Sequence, residues 1–415
     1  MLSLLTLAFY LYIVLVFQRP ELSVSAEGYI DRAFNFSQGK PLQPFDSFYP
    51  AGVTYLYAPF FRIFSYDHAL TAIAIFQAIL LWVTNLIFFQ LVRKYFGGSR
   101  PAWVAWVLVS VHFPLVLYVG YYFSEIPFYF FFVASLYFFM RAFLQPKTLW
   151  LAAFTAGYIL GFALLVRGVL YIALPLLLLI AFFSYKPIPW KKISAFLVGL
   201  LLVLTLQAVH ISLSLGHFAV LPTNGGANAY LAQTPQTLDV RTDDGFWIKN
   251  MNLYFDKTLI NDAFVPFSLW DSAQFTKLVV RRWELQPWQQ LKISWGNVVN
   301  LFRFEPQYPF WYTPKLVGIT QKFNYAFILE VYIPLLGYFI SLFWKSQRGY
   351  LWPTLVLLST FVSILIIAVV TTGEERYLIP FFYPMIALAA VEWVRIGQCI
   401  GNVWRKRMHK QPLAH

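Results

Sequence analysis

The chain has 415 residues, 31 Lys+Arg against 18 Asp+Glu for a formal net charge of +13, and 59% hydrophobic residues, with 20% aromatic. Only 12% are charged, where a soluble domain carries about a quarter, and the mean hydropathy is +0.61. This composition argues against a soluble enzyme, a disordered tail and a nucleic-acid-binding domain, and the lone Cys399 excludes an intrachain disulfide framework and a Cys-based metal site.

A helix needs about 20 apolar residues to cross the hydrocarbon core. Apolar runs predict ten spans, near 2–17, 69–92, 101–118, 126–144, 150–166, 168–184, 193–214, 323–344, 350–370 and 378–397. Gln18-Arg19-Pro20-Glu21 follows the first run without a small-residue cleavage site, so that run reads as a retained signal-anchor. The expected fold class is an all-α polytopic membrane protein of about ten transmembrane helices. Residues 1–214 form an N-terminal transmembrane module whose first outer loop is 18–68. Residues 215–322 form a small, mainly helical outer segment, and 323–415 hold the last spans and a basic tail.

Basic residues mark alternate loops: Arg93, Lys94 and Arg100; Arg141 and Lys147; Lys186, Lys191 and Lys192; Lys345 and Arg348; and the tail from Arg395 to Lys410. The positive-inside rule makes these cytoplasmic, with both termini inside. Glu21, Glu27, Asp31, Asp46, Asp67, Glu125, Glu374 and Glu375 then fall outside. Glu330 and Glu392 fall within spans, and both are expected near an end, where a long side chain reaches the interface.

The first outer loop mixes aromatics with Arg at helical spacing in Gly28–Phe36 and Tyr55–Phe64, as interfacial helices do. Glu27 and Asp31 are four apart, which puts both carboxylates on one helix face. They read as a general base or metal ligand, or simply as surface acids. Asp46 precedes Tyr49-Pro50-Ala51-Gly52, a tight turn back to the membrane. Glu125 stands at the mouth of the fourth span, where a carboxylate needs a partner, water or the helix dipole. Arg167 lies between two apolar runs on the outer side, against the positive-inside bias, so a phosphate or Glu125 must balance it. Glu374, Glu375 and Arg376 flank the last span. Asp271–Arg282 and Pro287–Phe304 predict amphipathic helices, with Trp283, Trp288 and Trp295 suited to the headgroup boundary. Neither a nucleotide loop nor a Gly-x-Ser-x-Gly elbow occurs.

Five short motifs in order resemble the GT-C superfamily of polytopic glycosyltransferases, in particular the protein O-mannosyltransferases and the lipid A aminoarabinose transferase group. They are Ala26-Glu27-Gly28-Tyr29 with Gly39, Tyr49-Pro50-Ala51-Gly52, Ser124-Glu125-x-Pro127, Asn224-Gly225-Gly226-x-Asn228-x-Tyr230, and Arg376-Tyr377-x-x-Pro380. The resemblance implies transfer of a sugar from a polyprenyl-phosphate carrier to a lipid, glycan or protein acceptor, at a hydroxyl or amine on the outer face. It implies Glu27 as base, with Asp31 or Asp46 as substitutes, because the family's first-loop Asp is absent from Ser25-Ala26-Glu27. Glu125 becomes a second acid, which positions the acceptor or, with Glu27, a divalent metal. Arg167, Arg376 and Lys40 are the expected phosphate cations. Tyr29, Tyr49, Asn224, Glu375 and Tyr377 are expected to position substrate. A bacterial inner membrane with a periplasmic site is favoured by the compact loops, with the endoplasmic reticulum as alternative. A lipid-linked sugar flippase and a catalytically silent scaffold are the rival readings.

Overall fold

The computed structural model describes residues 2–17, 24–145, 148–184, 187–233, 272–302, 314–342, 349–371 and 377–408. The side chains of 24–27, 231, 314–315, 403 and 406–408 lie outside that description. Among the described residues the secondary structure is helical. Six helices are long and apolar enough to cross a membrane: Tyr66–Tyr95, Glu125–Phe143, Trp190–Leu215, Leu316–Leu342, Leu351–Val370 and Ile379–Asn402. A bent pair, Ser99–Val111 with Phe113–Gly120, makes a seventh. Leu2–Phe17, Trp150–Val166 and Ala173–Phe183 are apolar but shorter. The runs expected at 2–17, 150–166 and 168–184 are therefore helical, without the length that alone would show a crossing.

In chain order, α1 (Leu2–Tyr12) ends in a π-helical turn, Ile13–Phe17. The amphipathic α2 (Val24–Ser37) and α3 (Gly52–Ile63) follow as expected for the first loop. Then come α4 (Tyr66–Tyr95), α5 (Ser99–Val111), α6 (Phe113–Leu117), α7 (Glu125–Phe143), α8 (Trp150–Val166), α9 (Ala173–Phe183) and α10 (Trp190–Leu215). The intervening segment supplies α11 (Asn224–Ala232), α12 (Ser272–Leu285) and α13 (Pro287–Leu301). Next are α14 (Pro314–Phe327), a π-helical turn at Ile328–Tyr332, and α15 (Ile333–Leu342). The chain closes with α16 (Leu351–Val370) and α17 (Phe382–Met408). Trp288 and Trp295 are exposed on α13, as residues at a headgroup boundary are.

The span expected straight through 101–118 is broken at His112 by 57°. Pro114 has no N–H for the Ser110 carbonyl and crowds the residue before it. The Tyr10 hydroxyl lies 3.5 Å from that carbonyl instead. Tyr10 also accepts from Asn85 at 2.6 Å, and Tyr383 donates to Asn85 at 2.8 Å. This buried chain ties α1, α4 and α17 together where hydrocarbon offers no competing partner.

The closest helix pair is α8 with α10. Gly157 and Gly161 form a Gly-x-x-x-Gly stripe that lets backbones approach. A Cβ on Gly157 would run into the Phe196 carbonyl, one on Gly199 into the Phe154 carbonyl, and one on Gly161 would lie 2.7 Å from the Val203 side chain. The pair carries Arg167 at the end of α8 and His210 near the end of α10.

Glu330 lies near the middle of Leu316–Leu342, and α17 runs on to Met408, so Glu392 lies well inside its helix. The helices begin earlier or end later than the apolar runs, because polar residues continue them.

Substituting Gly157→Ala should destabilise the protein by about 1–3 kcal/mol, the usual cost of an added carbon in a packed interior. Thermal unfolding in detergent measures it. An unchanged midpoint would show that α8 and α10 separate at little cost.

Candidate functional site

The five motifs, scattered from residue 29 to residue 377, meet around one cavity of about 270 Å³. Its wall includes Tyr29 and Tyr49 from the first loop, Ser124 and Glu125 at the start of α7, and Arg167 with Tyr171 after α8. Asn224 and Asn228 on α11, Thr371 after α16 and Tyr377 complete it. All of these stand at helix ends or on the short helices between, so the cavity sits at one end of the bundle.

Glu125 and Arg167 form its charged centre. Arg167 Nη1 donates to Glu125 Oε1 at 3.0 Å, and the two side chains are 10% and 4% exposed. The Arg167 guanidinium also lies over the Tyr377 ring, 4.6 Å from its centroid. Of the two balances open for Arg167, Glu125 is the one observed within the chain.

Each half of the pair is held by its own supports. On the Glu125 side, residues 119–124 are buried and outside α-helix, so their carbonyls need donors. Gln77, fully buried in α4, donates Nε2 to the Tyr121 carbonyl at 3.0 Å and the Val119 carbonyl at 3.4 Å. The Tyr57 hydroxyl lies 3.1 Å from the Phe123 carbonyl and 3.2 Å from Gln77 Oε1. Burial first, and the Glu125 charge next, push the Tyr57 phenol well above its usual value, so it stays a donor. On the Arg167 side the residue is extended (φ −157°, ψ 120°) and ends α8. A Cβ on Gly52 would lie 2.7 Å from the Leu165 carbonyl oxygen, so only glycine lets α3 rest there. Ser363 Oγ donates to the Val169 carbonyl at 2.6 Å, fastening the following turn to α16.

Arg32 organises the first loop, a role that local sequence does not show because its partner Asp46 stands 14 residues away. It is 2% exposed and donates to the Asp46 carbonyl at 2.8 Å and the Tyr49 carbonyl at 3.1 Å. Its Nε lies 3.6 Å from the Asp46 carboxylate. Burial pulls this guanidinium below its usual value, and Asp46, Tyr29 and Tyr49 oppose that shift. Tyr49 is thereby set against Tyr29, with ring centroids 4.8 Å apart. The loop meets α11 through backbone bonds from Thr223 to Ser47 (2.9 Å) and from Asn224 to Phe48 (3.1 Å). The far wall is fixed by α11 and α13: Gln233 and Ser294 donate to the Val369 carbonyl, both at 2.8 Å, and Asn297 donates to the Thr371 carbonyl at 3.0 Å.

Of the expected site residues, Tyr29, Tyr49, Glu125, Arg167, Asn224 and Tyr377 come together. Asp46 does not line the cavity; it faces Arg32 and accepts from the Gln43 amide at 2.8 Å. Asp31 is exposed outside the lining, and exposed Lys40 donates to Asn35 at 2.9 Å. Glu27 lies in α2 one residue before Gly28, and its side chain is outside the described residues, as are Glu375 and Arg376. Among the described residues no group of three His, Cys, Asp or Glu gathers. The described carboxylate in the wall, Glu125, faces the Arg167 guanidinium, and Glu27, expected beside it as a second oxygen ligand, has its side chain outside the described residues. Gln77, a lone amide in an apolar run, and Asn228, one turn after Asn224, are the readable signals of a support and of a further lining residue.

Residues 49–212 match the family model for dolichyl-phosphate-mannose-protein mannosyltransferase. In structure the whole chain is similar to the archaeal oligosaccharyltransferase AglB from Archaeoglobus fulgidus, solved in complex with an inhibitory peptide and a dolichol-phosphate. That match has 17% identity and a TM-score of 0.54, covering 100% of this chain and 52% of that one. The apo form of the Archaeoglobus fulgidus oligosaccharyltransferase gives 17% identity and a TM-score of 0.55, covering 98% and 52%. The chain shares the fold of these oligosaccharyltransferase structures and spans about half their length. No curated protein matches it in sequence.

Removing one partner of a buried ion pair costs about 3–5 kcal/mol, whereas replacing both by apolar residues is often neutral. Glu125→Leu and Arg167→Leu should each lower the unfolding midpoint in detergent, and the double variant should recover most of the loss. A double variant as unstable as the worse single one would show that the pair is not an isolated unit.

Proposed function

We propose that the chain is a membrane glycosyltransferase that moves a sugar from a polyprenyl-phosphate carrier to an acceptor hydroxyl or amine at the outer face of the membrane. The observation that carries this reading is the cavity, where Glu125, Arg167, Tyr377 and the first-loop tyrosines converge at a bundle end. The match over 49–212 to a mannosyltransferase family model and the likeness to a structure solved with a dolichol-phosphate support the class of donor.

In this reaction the acceptor oxygen or nitrogen attacks the sugar C1 as the bond from C1 to the carrier phosphate breaks. The acceptor proton passes to a carboxylate, and the phosphate leaves on its lipid with the bonding electron pair. A weak nucleophile needs the proton acceptor within hydrogen-bond reach. Glu27 is the proposed base, one residue before Gly28 and two before the cavity-lining Tyr29. Asp46 is less suited because Arg32 already holds it, and Asp31 because it is exposed outside the wall. Arg167 is the proposed phosphate cation. A guanidinium fixed by Glu125 and Tyr377 before charge develops needs no reorganisation in the transition state. Arg376 is its proposed companion. The adjacent rings of Tyr29 and Tyr49 and the amides of Asn224 and Asn228 offer a ring face and donors of the kind that sugar hydroxyls meet. The basic loops support a multi-pass orientation with this end outward, as in a bacterial inner membrane.

Purified protein supplied with radiolabelled polyprenyl-phosphate sugars and a panel of acceptors should transfer label. Glu27→Gln should reduce that transfer by on the order of 10²- to 10⁴-fold, the usual contribution of a positioned base, while membrane insertion stays unchanged. Full activity in the Glu27→Gln variant removes Glu27 from the base role. Carrier movement across vesicles without transfer would overturn the enzyme reading in favour of a flippase.

A further inference from the structure

Leu316–Leu342 is the least enclosed of the six long apolar helices, with 28% of its apolar window buried against 39–78% for the others. Tyr325, Leu329, Ile333, Leu336 and Ile340 form an exposed stripe along it at spacings of three and four. Lipid alone would cover such a stripe. Glu330 changes the case, because it is exposed beside Leu329, near the middle of this apolar helix. Acids at that depth face a bundle interior or a partner, not acyl chains.

The surroundings are built around this point. The helix takes a π-helical turn at Ile328–Tyr332, the kind of irregularity that often marks a functional position. Trp393 of α17 donates its indole N–H to the Glu330 carbonyl at 2.8 Å, which sets residues 330 and 393 at one depth. One residue before Trp393, Glu392 is 2% exposed and packs against Gly337, where a Cβ would lie 3.0 Å from Oε1. Glu392 takes the nearby cation: Arg395 Nε donates to Glu392 Oε1 at 3.1 Å, and Arg395 Nη2 donates to the same oxygen. With both acids ionised, Glu330, Glu392 and Arg395 together carry a net charge of −1.

We propose that this face receives a transmembrane helix of another protein, carrying one basic side chain at the depth of Glu330. The charge selects the occupant. A second copy would bring −1 against −1 in hydrocarbon, where like charges are poorly screened. A basic residue on an otherwise apolar helix balances the patch and covers the stripe from Tyr325 to Ile340. The proposed sugar-transfer cavity lies at the bundle end, so this surface is separate from it.

The test uses the full-length chain in its native membranes and, separately, purified into phosphatidylcholine vesicles. Dicyclohexylcarbodiimide, which labels protonated carboxyls that face hydrocarbon, should spare Glu330 in native membranes and label it in the vesicles. Equal labelling in both would mean that Glu330 simply faces lipid as a neutral acid. Absence of labelling in both would mean that the chain itself shields it. Either result overturns the proposal. A photocrosslinking residue at Ile333 or Leu336 should then yield an adduct whose partner peptide is an apolar segment containing Lys, Arg or His. Glu330→Leu, at unchanged protein level and unchanged sugar transfer, should abolish that adduct. A crosslinked product consisting of two copies of this chain would overturn the choice of occupant, as would an adduct that survives Glu330→Leu.

Discussion

One buried ion pair governs how this bundle end is organised. Glu125 and Arg167 lie on separate helices, both removed from water, and each would be costly without the other. Neighbouring elements must therefore bring both to within 3.0 Å and keep them there. Gln77 and Tyr57 satisfy the carbonyls of the segment that delivers Glu125. Gly52 and Ser363 seat the turn that delivers Arg167, and Tyr377 closes over the guanidinium. The cavity is the space left around this constrained centre.

The first loop obeys the same logic with a second pair. Arg32 has a desolvated guanidinium whose donors reach the Asp46 and Tyr49 carbonyls. It converts a stretch with three prolines into a fixed wall and turns Tyr49 toward Tyr29. Asp46 is thereby drawn into a structural task, and Glu125 is likewise held by a cation.

The spans were legible because hydrophobic run length is a property of the sequence itself; the runs near 69–92, 126–144, 193–214 and 350–370 became helices with nearly those bounds. The bend at His112 was written in Pro114 but hidden inside an unbroken apolar run. Convergence of the five motifs could be expected only through the family resemblance, since nothing in residues 49 or 224 states that their backbones will pair. The role of Arg32 was not legible because local sequence shows Asp31 beside it, whereas its partner, Asp46, is 14 residues away. The ends of the helices carrying Glu330 and Glu392 differ from those of the apolar runs because helices continue through polar residues.

The clasp on the end of α16 constrains the order in which the protein can be assembled. Gln233 donates to Val369, 136 residues later in the chain, and Asn297 to Thr371, 74 residues later. A ribosome releases the donors long before their acceptors exist. The segment bearing α11 to α13 must therefore wait, with its amides satisfied by water, until α16 has entered the bilayer and offered its terminal carbonyls. Completion of the cavity wall is thus a late, post-insertional event, and a nascent chain truncated before residue 369 would have every motif except the last and no closed chamber.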